Sequence, residues 1–188
     1  MVVTHRLFAL LLLLLLLPPA LHAQPARTFA AQFVQTRTLP GFDQPIVSHG
    51  ELRYSAADGF RWEVSKPYHY LFQMRDDVAH EQLPDGTQRE LRPDQTPWLK
   101  IVQQVFVHAL AGDRERLRQY FDVQITPTGD GRNVVLIPHA QAMAKVIRRI
   151  AVTETRDGHP QQLDIDEAGG GHMDIRFTPL AGTPGGAP

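Results

Sequence analysis

Gly50-Glu51-Leu52-Arg53-Tyr54, Phe60-Arg61-Trp62-Glu63-Val64 and Tyr68-His69-Tyr70-Leu71-Phe72-Gln73-Met74 follow one another along residues 50–74. In the first, Leu52 and Tyr54 share one parity and two charges the other. In the second, Phe60, Trp62 and Val64 oppose Arg61 and Glu63. The third keeps the same period. Successive side chains of a strand point to opposite faces, so this alternation is what an antiparallel strand with one dry face requires. Ala57-Asp58-Gly59 and Lys66-Pro67 supply the breaks, and the stretch predicts a meander of neighbouring strands.

Upstream, Phe29, Ala31 and Phe33 form one face of an opening strand, and polar Gln35 and Arg37 continue that parity. Downstream, Pro84-Asp85-Gly86 signals the turn of a further hairpin. The pattern then changes. From Thr96 to Ala111 the apolar residues Trp98, Leu99, Ile101, Val102, Val105, Phe106, Val107 and Leu110 recur at spacings of three and four. Thr96 suits the N-cap of a helix, Pro97 its first turn and Gly112 its stop. Asp113 can cap a short second helix, Arg114 to Phe121. Strand patterns resume at 123–126, 133–138, 146–155, 161–166 and 173–178, with turns at 128–131, 157–158 and 169–171. The expected fold is α+β, mainly β: one large antiparallel sheet that curls and buries its apolar face beneath the central helices.

The two ends of the chain read differently. His5 and Arg6 precede an apolar run, Leu7 to Leu17, with nine leucines. That run is shorter than the roughly 20 residues needed to span a hydrocarbon core. Pro18-Pro19 breaks it, and Leu21-His22-Ala23 ends on a small residue, so residues 1–23 are expected to be a cleaved signal peptide. The expected domain is 24–180, with a Gly- and Pro-rich flexible tail over 181–188. The chain has no cysteine, so it has neither disulfides nor a site for thioether lipidation. With 19 Lys and Arg against 20 Asp and Glu, it offers no electrostatic reason to bind nucleic acid.

The sequence shows no catalytic signature. The histidines beyond the leader (His49, His69, His80, His108, His139, His159 and His172) are scattered, with no H-x-H, HExxH or i,i+4 pair. No Gly-x-Ser-x-Gly elbow is present, and Gly169-Gly170-Gly171 precedes no helix that could cradle a phosphate. Neither a metal, a cofactor nor an enzymatic activity is expected.

Phe33-Val34-Gln35-Thr36-Arg37, Gly50-Glu51-Leu52, and Phe60-Arg61-Trp62 followed by Pro67 occur in an order that resembles the LolA-like superfamily of outer-membrane lipoprotein carriers. The resemblance covers most of residues 29–178. It implies an incomplete antiparallel β-barrel whose apolar interior is closed by a helical lid. It further implies carriage of lipoprotein acyl chains through the periplasm of a Gram-negative bacterium, from an inner-membrane ABC donor to an outer-membrane acceptor. The chain departs from the family pattern in three places. Ala56 stands where the family has a gating arginine, leaving Arg53 or Arg61 as possible substitutes. Gln24 to Thr28 are too few for the family's N-terminal helix, and the C-terminal extension is short. These departures point to a divergent member.

The ligand-binding residues expected from this reading are Phe33, Leu52, Phe60, Trp62, Phe72 and Met74 on the sheet. Trp98, Ile101, Val102, Val105 and Phe106 are expected on the lid. Residue by residue, the sequence leaves open whether each touches lipid or completes a permanent core. The expected load is an acylated lipoprotein or a lipid, and the expected state a monomer. The alternatives are a periplasmic sensing module of the same fold and a lipid or pigment carrier of a polyene-type assembly system.

Overall fold

The computed structural model describes residues 28–76, 78–92, 96, 99, 113–139 and 141–181. Eleven strands form one sheet whose order along the chain is β6-β5-β4-β3-β2-β1-β11-β10-β9-β8-β7. The first six are β1 (Phe29–Thr38), β2 (Ile46–Ser55), β3 (Gly59–Lys66), β4 (Tyr70–Arg75), β5 (Val78–Gln82) and β6 (Gln88–Leu91). A short helix, α1 (Arg114–Arg118), leads into β7 (Phe121–Pro127) and β8 (Gly131–Pro138). Another, α2 (Gln141–Ala144), precedes β9 (Ile147–Thr155), β10 (Pro160–Glu167) and β11 (His172–Pro179).

Every pairing is antiparallel, and only the one between β1 and β11 joins strands far apart in sequence. Two meanders are thus sewn together by the first and last strands. β6 and β7 are left as edges, so the sheet is curved but not closed.

The period-two reading explains which face is dry. Phe29, Ala31 and Phe33 of β1 stand opposite Tyr54, Leu52 and Gly50 of β2 and opposite residues of matching parity on β11. The same parity runs through Phe60 and Trp62, Phe72 and Met74, Ile175 and Phe177, Leu163 and Ile165, Ile150 and Val152, and Val134 and Leu136. These side chains form one core cluster, which Leu117 of α1, Met143 of α2 and the fully buried Leu99 join. A single sheet can gather residues from strands this far apart only by curling around them.

The other face carries the charge. Arg53 bonds Glu51 and Arg61 bonds Glu63 along their strands, and Arg149, His172 and Asp166 form a chain across β9–β11.

Several boundaries differ from expectation. The second helix stops at Arg118, not Phe121, because Phe121 starts β7, pairs with Pro138 and is buried on the dry face. Its cap is as expected: the Asp113 side chain accepts from the Arg116 N–H at 3.2 Å. The third hairpin strand begins at Tyr70, leaving Tyr68 exposed in the loop before it. Helix α2 was not foreseen; one turn of four residues carries no periodic signal. The hairpin at Pro84-Asp85-Gly86 is present, closed by the Leu83 N–H to Thr87 O bond, with Gly86 at φ 86°.

Candidate functional site

The sheet brings together all six residues expected there. Leu52 pairs with Trp62, Trp62 with Phe72, and Phe60 with Met74. Phe33 reaches them through a gap. Its partner on β2 is Gly50, and the Phe33 ring occupies the space a Cβ there would need, 2.5 Å from its Cζ. Lying across the glycine, that ring stacks on Trp62 with centroids 3.8 Å apart and an interplanar angle of 24°. Phe60 lies near-parallel to Trp62 at 6.5 Å and meets Phe72 edge-on at 6.1 Å. The result is an aromatic seam across four strands. Five of the six residues are buried; Trp62 alone is partly exposed.

Trp98, Ile101, Val102, Val105 and Phe106 lie outside the described residues, and so does a helical lid. Two neighbours of that segment are described. Thr96 O accepts from the Leu99 N–H at 2.9 Å, and Leu99 is fully buried in the cluster that holds the aromatic seam.

One group on the dry face escaped the sequence reading. Glu154 of β9 is the one charged residue that is buried outright among the described residues. Its Oε2 accepts from Arg132 Nε at 2.6 Å, from the neighbouring strand β8, and from Arg114 Nη2 at 3.0 Å, from α1. Two guanidinium groups thus neutralise one carboxylate, and the first residue of α1 is tied to the sheet. Arginines 22 and 40 residues away in the chain gave no local signal. At the other flank, Glu81 of β5 accepts from the Tyr70 hydroxyl at 3.2 Å. Burial, together with that carboxylate, holds the Tyr70 hydroxyl well above the usual phenol range. Further along the dry face, Arg37 bonds Glu167 at 2.7 Å.

Arg53 and Arg61, the two arginines nearest Ala56 in the meander, lie on the charged face. They pair with each other across β2 and β3 on the charged face, turned away from the core, and Ala56 is exposed in the turn between them. Arg114 and Arg132 are the arginines that meet a buried carboxylate on the dry side. Among the described residues, no group of three or more His, Cys, Asp or Glu could hold a metal ion, and no helix is long and apolar enough to cross a membrane.

Residues 24–185 match the family described as "Outer membrane lipoprotein carrier protein LolA". The chain belongs to the LolA family. The family is one of periplasmic carriers, and in this member the described residues form an open sheet with one apolar face. No curated protein matches the sequence. Among solved structures the chain is similar to a LolA superfamily protein from Nitrosomonas europaea, at 9% identity and a TM-score of 0.44, over 86% of this chain and 90% of that one. It is similar to the MucA/MucB complex of Pseudomonas aeruginosa at 17% identity and a TM-score of 0.47, over 84% of this chain and 53% of that one. The lipoprotein LppX of Mycobacterium tuberculosis follows at 13% identity and a TM-score of 0.39, over 82% and 87%.

Proposed function

We infer that this LolA-family protein binds the acyl chains of lipoproteins or lipids against the dry face of its sheet and shuttles them through the periplasm towards the outer membrane. The observation that carries this reading is an eleven-stranded sheet, open at both edges, whose inner parity gathers one continuous apolar cluster in a chain of a carrier family. On this reading residues 1–23 are the cleaved leader and 24–180 a single monomeric carrier domain. An inner-membrane ABC complex loads it and an outer-membrane acceptor unloads it.

Phe33, Leu52, Phe60, Trp62, Phe72 and Met74 form the acyl-contacting surface in this account, and Trp98, Ile101, Val102, Val105 and Phe106 its cover. Five of the six sheet residues are buried in the described state, so an acyl chain must replace something that covers them. The energetics favour that exchange. An acyl chain of about 15 carbons gains roughly 12 kcal/mol gross on leaving water, at about 0.8 kcal/mol per methylene. Binding that strong would trap the load. A cover that gives up its own apolar contacts on opening offsets part of the gain and makes hand-over possible.

The test is binding of an environment-sensitive hydrophobic fluorophore, displaced by a diacylated peptide. The wild-type protein is expected to bind and release it. The Val105→Asp variant is expected to lose binding by more than roughly tenfold while keeping its β-sheet circular dichroism, because a charge in an apolar contact costs several kcal/mol. Equal binding by the folded variant would contradict the assignment of the cover.

A further inference from the structure

Seven large apolar side chains are exposed among the described residues: Val34, Phe42, Ile46, Val47, Tyr68, Ile125 and Val146. Scattered singly over a surface they would need no explanation. Five of them are not scattered. Phe42, Ile46 and Val47 belong to the β1–β2 loop and the first residues of β2, Tyr68 to the β3–β4 loop, and Val146 to the link from α2 into β9.

The antiparallel register brings these loops to the same end of the sheet. Thr38 at the close of β1 pairs with His172 at the start of β11, and Ile46 pairs with Arg37. Contacts join the β1–β2 loop, the β10–β11 turn and the α2–β9 link, and the β3–β4 loop stands at the same end. Pro40 approaches Gly170 so closely that a Cβ there would stand 3.4 Å from its ring, and the Ala168 N–H donates to Val146 O at 2.9 Å. At the tip, Phe42 is 65% exposed and Tyr68 70%. The β2–β3 and β7–β8 turns at the opposite end, Ala56 to Asp58 and Thr128 to Asp130, carry small and polar residues instead.

Exposed cations lie beside two of these apolar loops. Lys66 adjoins the Tyr68 loop, and Lys145 and Arg148 flank Val146. Lys66 and Lys145 have no ion pair among the described residues, and Arg148 spends a donor on Ala168 O at 3.4 Å. Arg37, Arg149 and His69 are matched by Glu167, Asp166 and Glu63, while Asp43 in the β1–β2 loop, Asp85 in the β5–β6 turn and Asp122 at the start of β7 are the carboxylates exposed at this end. Exposed aromatic tips at an end that also carries Lys66, Lys145 and Arg148 suit the boundary between phosphate headgroups and acyl chains.

We propose that this end of the sheet docks on an anionic lipid bilayer. Phe42 and Tyr68 enter the headgroup layer, with Lys66, Lys145 and Arg148 against the phosphates. Docking deepens the carrier reading by giving the open barrel a fixed orientation for exchange, and it rests on that reading only for its purpose.

The experiment is flotation of the mature protein, residues 24–188, with vesicles of phosphatidylethanolamine and phosphatidylglycerol, compared with vesicles of phosphatidylcholine alone. The wild type is expected to float with the anionic vesicles at low salt. Phe42→Ser with Tyr68→Ser is expected to cut the bound fraction by roughly tenfold. Lys66→Gln with Lys145→Gln is expected to weaken binding and flatten its salt dependence. Ile125→Ser, on the outer strand β7, is expected to float like the wild type. A folded wild type that fails to float, or a Phe42/Tyr68 double variant that floats equally well, overturns docking. Hydrophobic-fluorophore binding, measured on the same samples, reads carriage separately. Its loss with flotation intact would overturn the carrier reading and leave docking standing.

Discussion

Gly50 sits at the hinge between sequence and site. Its missing side chain lets the Phe33 ring cross from β1 to Trp62 on β3, skipping a strand. An added Cβ would also lie 2.0 Å from Glu63 O, a backbone atom that can move only if the strands part. Gly50→Ala should therefore lower stability by about 2 kcal/mol, read as a fall in the urea midpoint, and change the near-ultraviolet signal of Trp62. Asp166, on the charged face, works through pH. The His172 ring at 2.9 Å and Arg149 at 2.8 Å hold its carboxyl below the ordinary 3.8. A carboxylate lowered in the folded state contributes stability that is complete above the unfolded value and is lost as pH falls through the folded one. Asp166→Asn should thus lie below the wild type in urea midpoint near neutrality, and the two should converge as the pH drops beneath 3.8.

Among the elements, α1 depends most on contacts outside itself. Five residues make no stable helix by themselves, and this one is fixed by its Asp113 cap, by Leu117 in the core and by the Arg114–Glu154 bond. Removing the carboxylate leaves Arg114 and Arg132 facing each other across the dry side. Glu154→Ala should cost about 3–5 kcal/mol in urea unfolding, and Arg114→Ala should cost less, since Glu154 keeps Arg132. An equal loss from both would place the weight on the helix tie and not on the buried charge. The strands were legible because a half-buried strand writes its fold as alternation: β3 and β4 could be read from Phe60-Arg61-Trp62-Glu63-Val64 and Tyr70-Leu71-Phe72-Gln73-Met74 alone. β5 and β6 were visible only through their turn, because Val78-Ala79-His80-Glu81-Gln82 points a glutamate inward beside Tyr70. The Glu154 clamp could not be read at all, as it exists only once β8, β9 and α1 have met. The parity of Arg53 and Arg61 was written in the sequence; their alternation with Leu52, Tyr54, Phe60 and Trp62 already turned them away from the core.

For the whole molecule, the asymmetries point the same way. One face of the sheet is dry and the other charged; one end is apolar and the other polar. A carrier needs both distinctions, since it must hide a load on one surface and present it in one direction. Family membership and the open sheet fix the architecture for this. The load itself is the central claim, and native mass spectrometry of the protein taken directly from the periplasm tests it most directly. The account predicts a bound mass of lipid or acylated peptide on the wild-type chain that is missing from the Val105→Asp variant. A folded wild-type chain recovered bare, at the mass of its polypeptide alone and unable to take up added diacyl lipid, would contradict it.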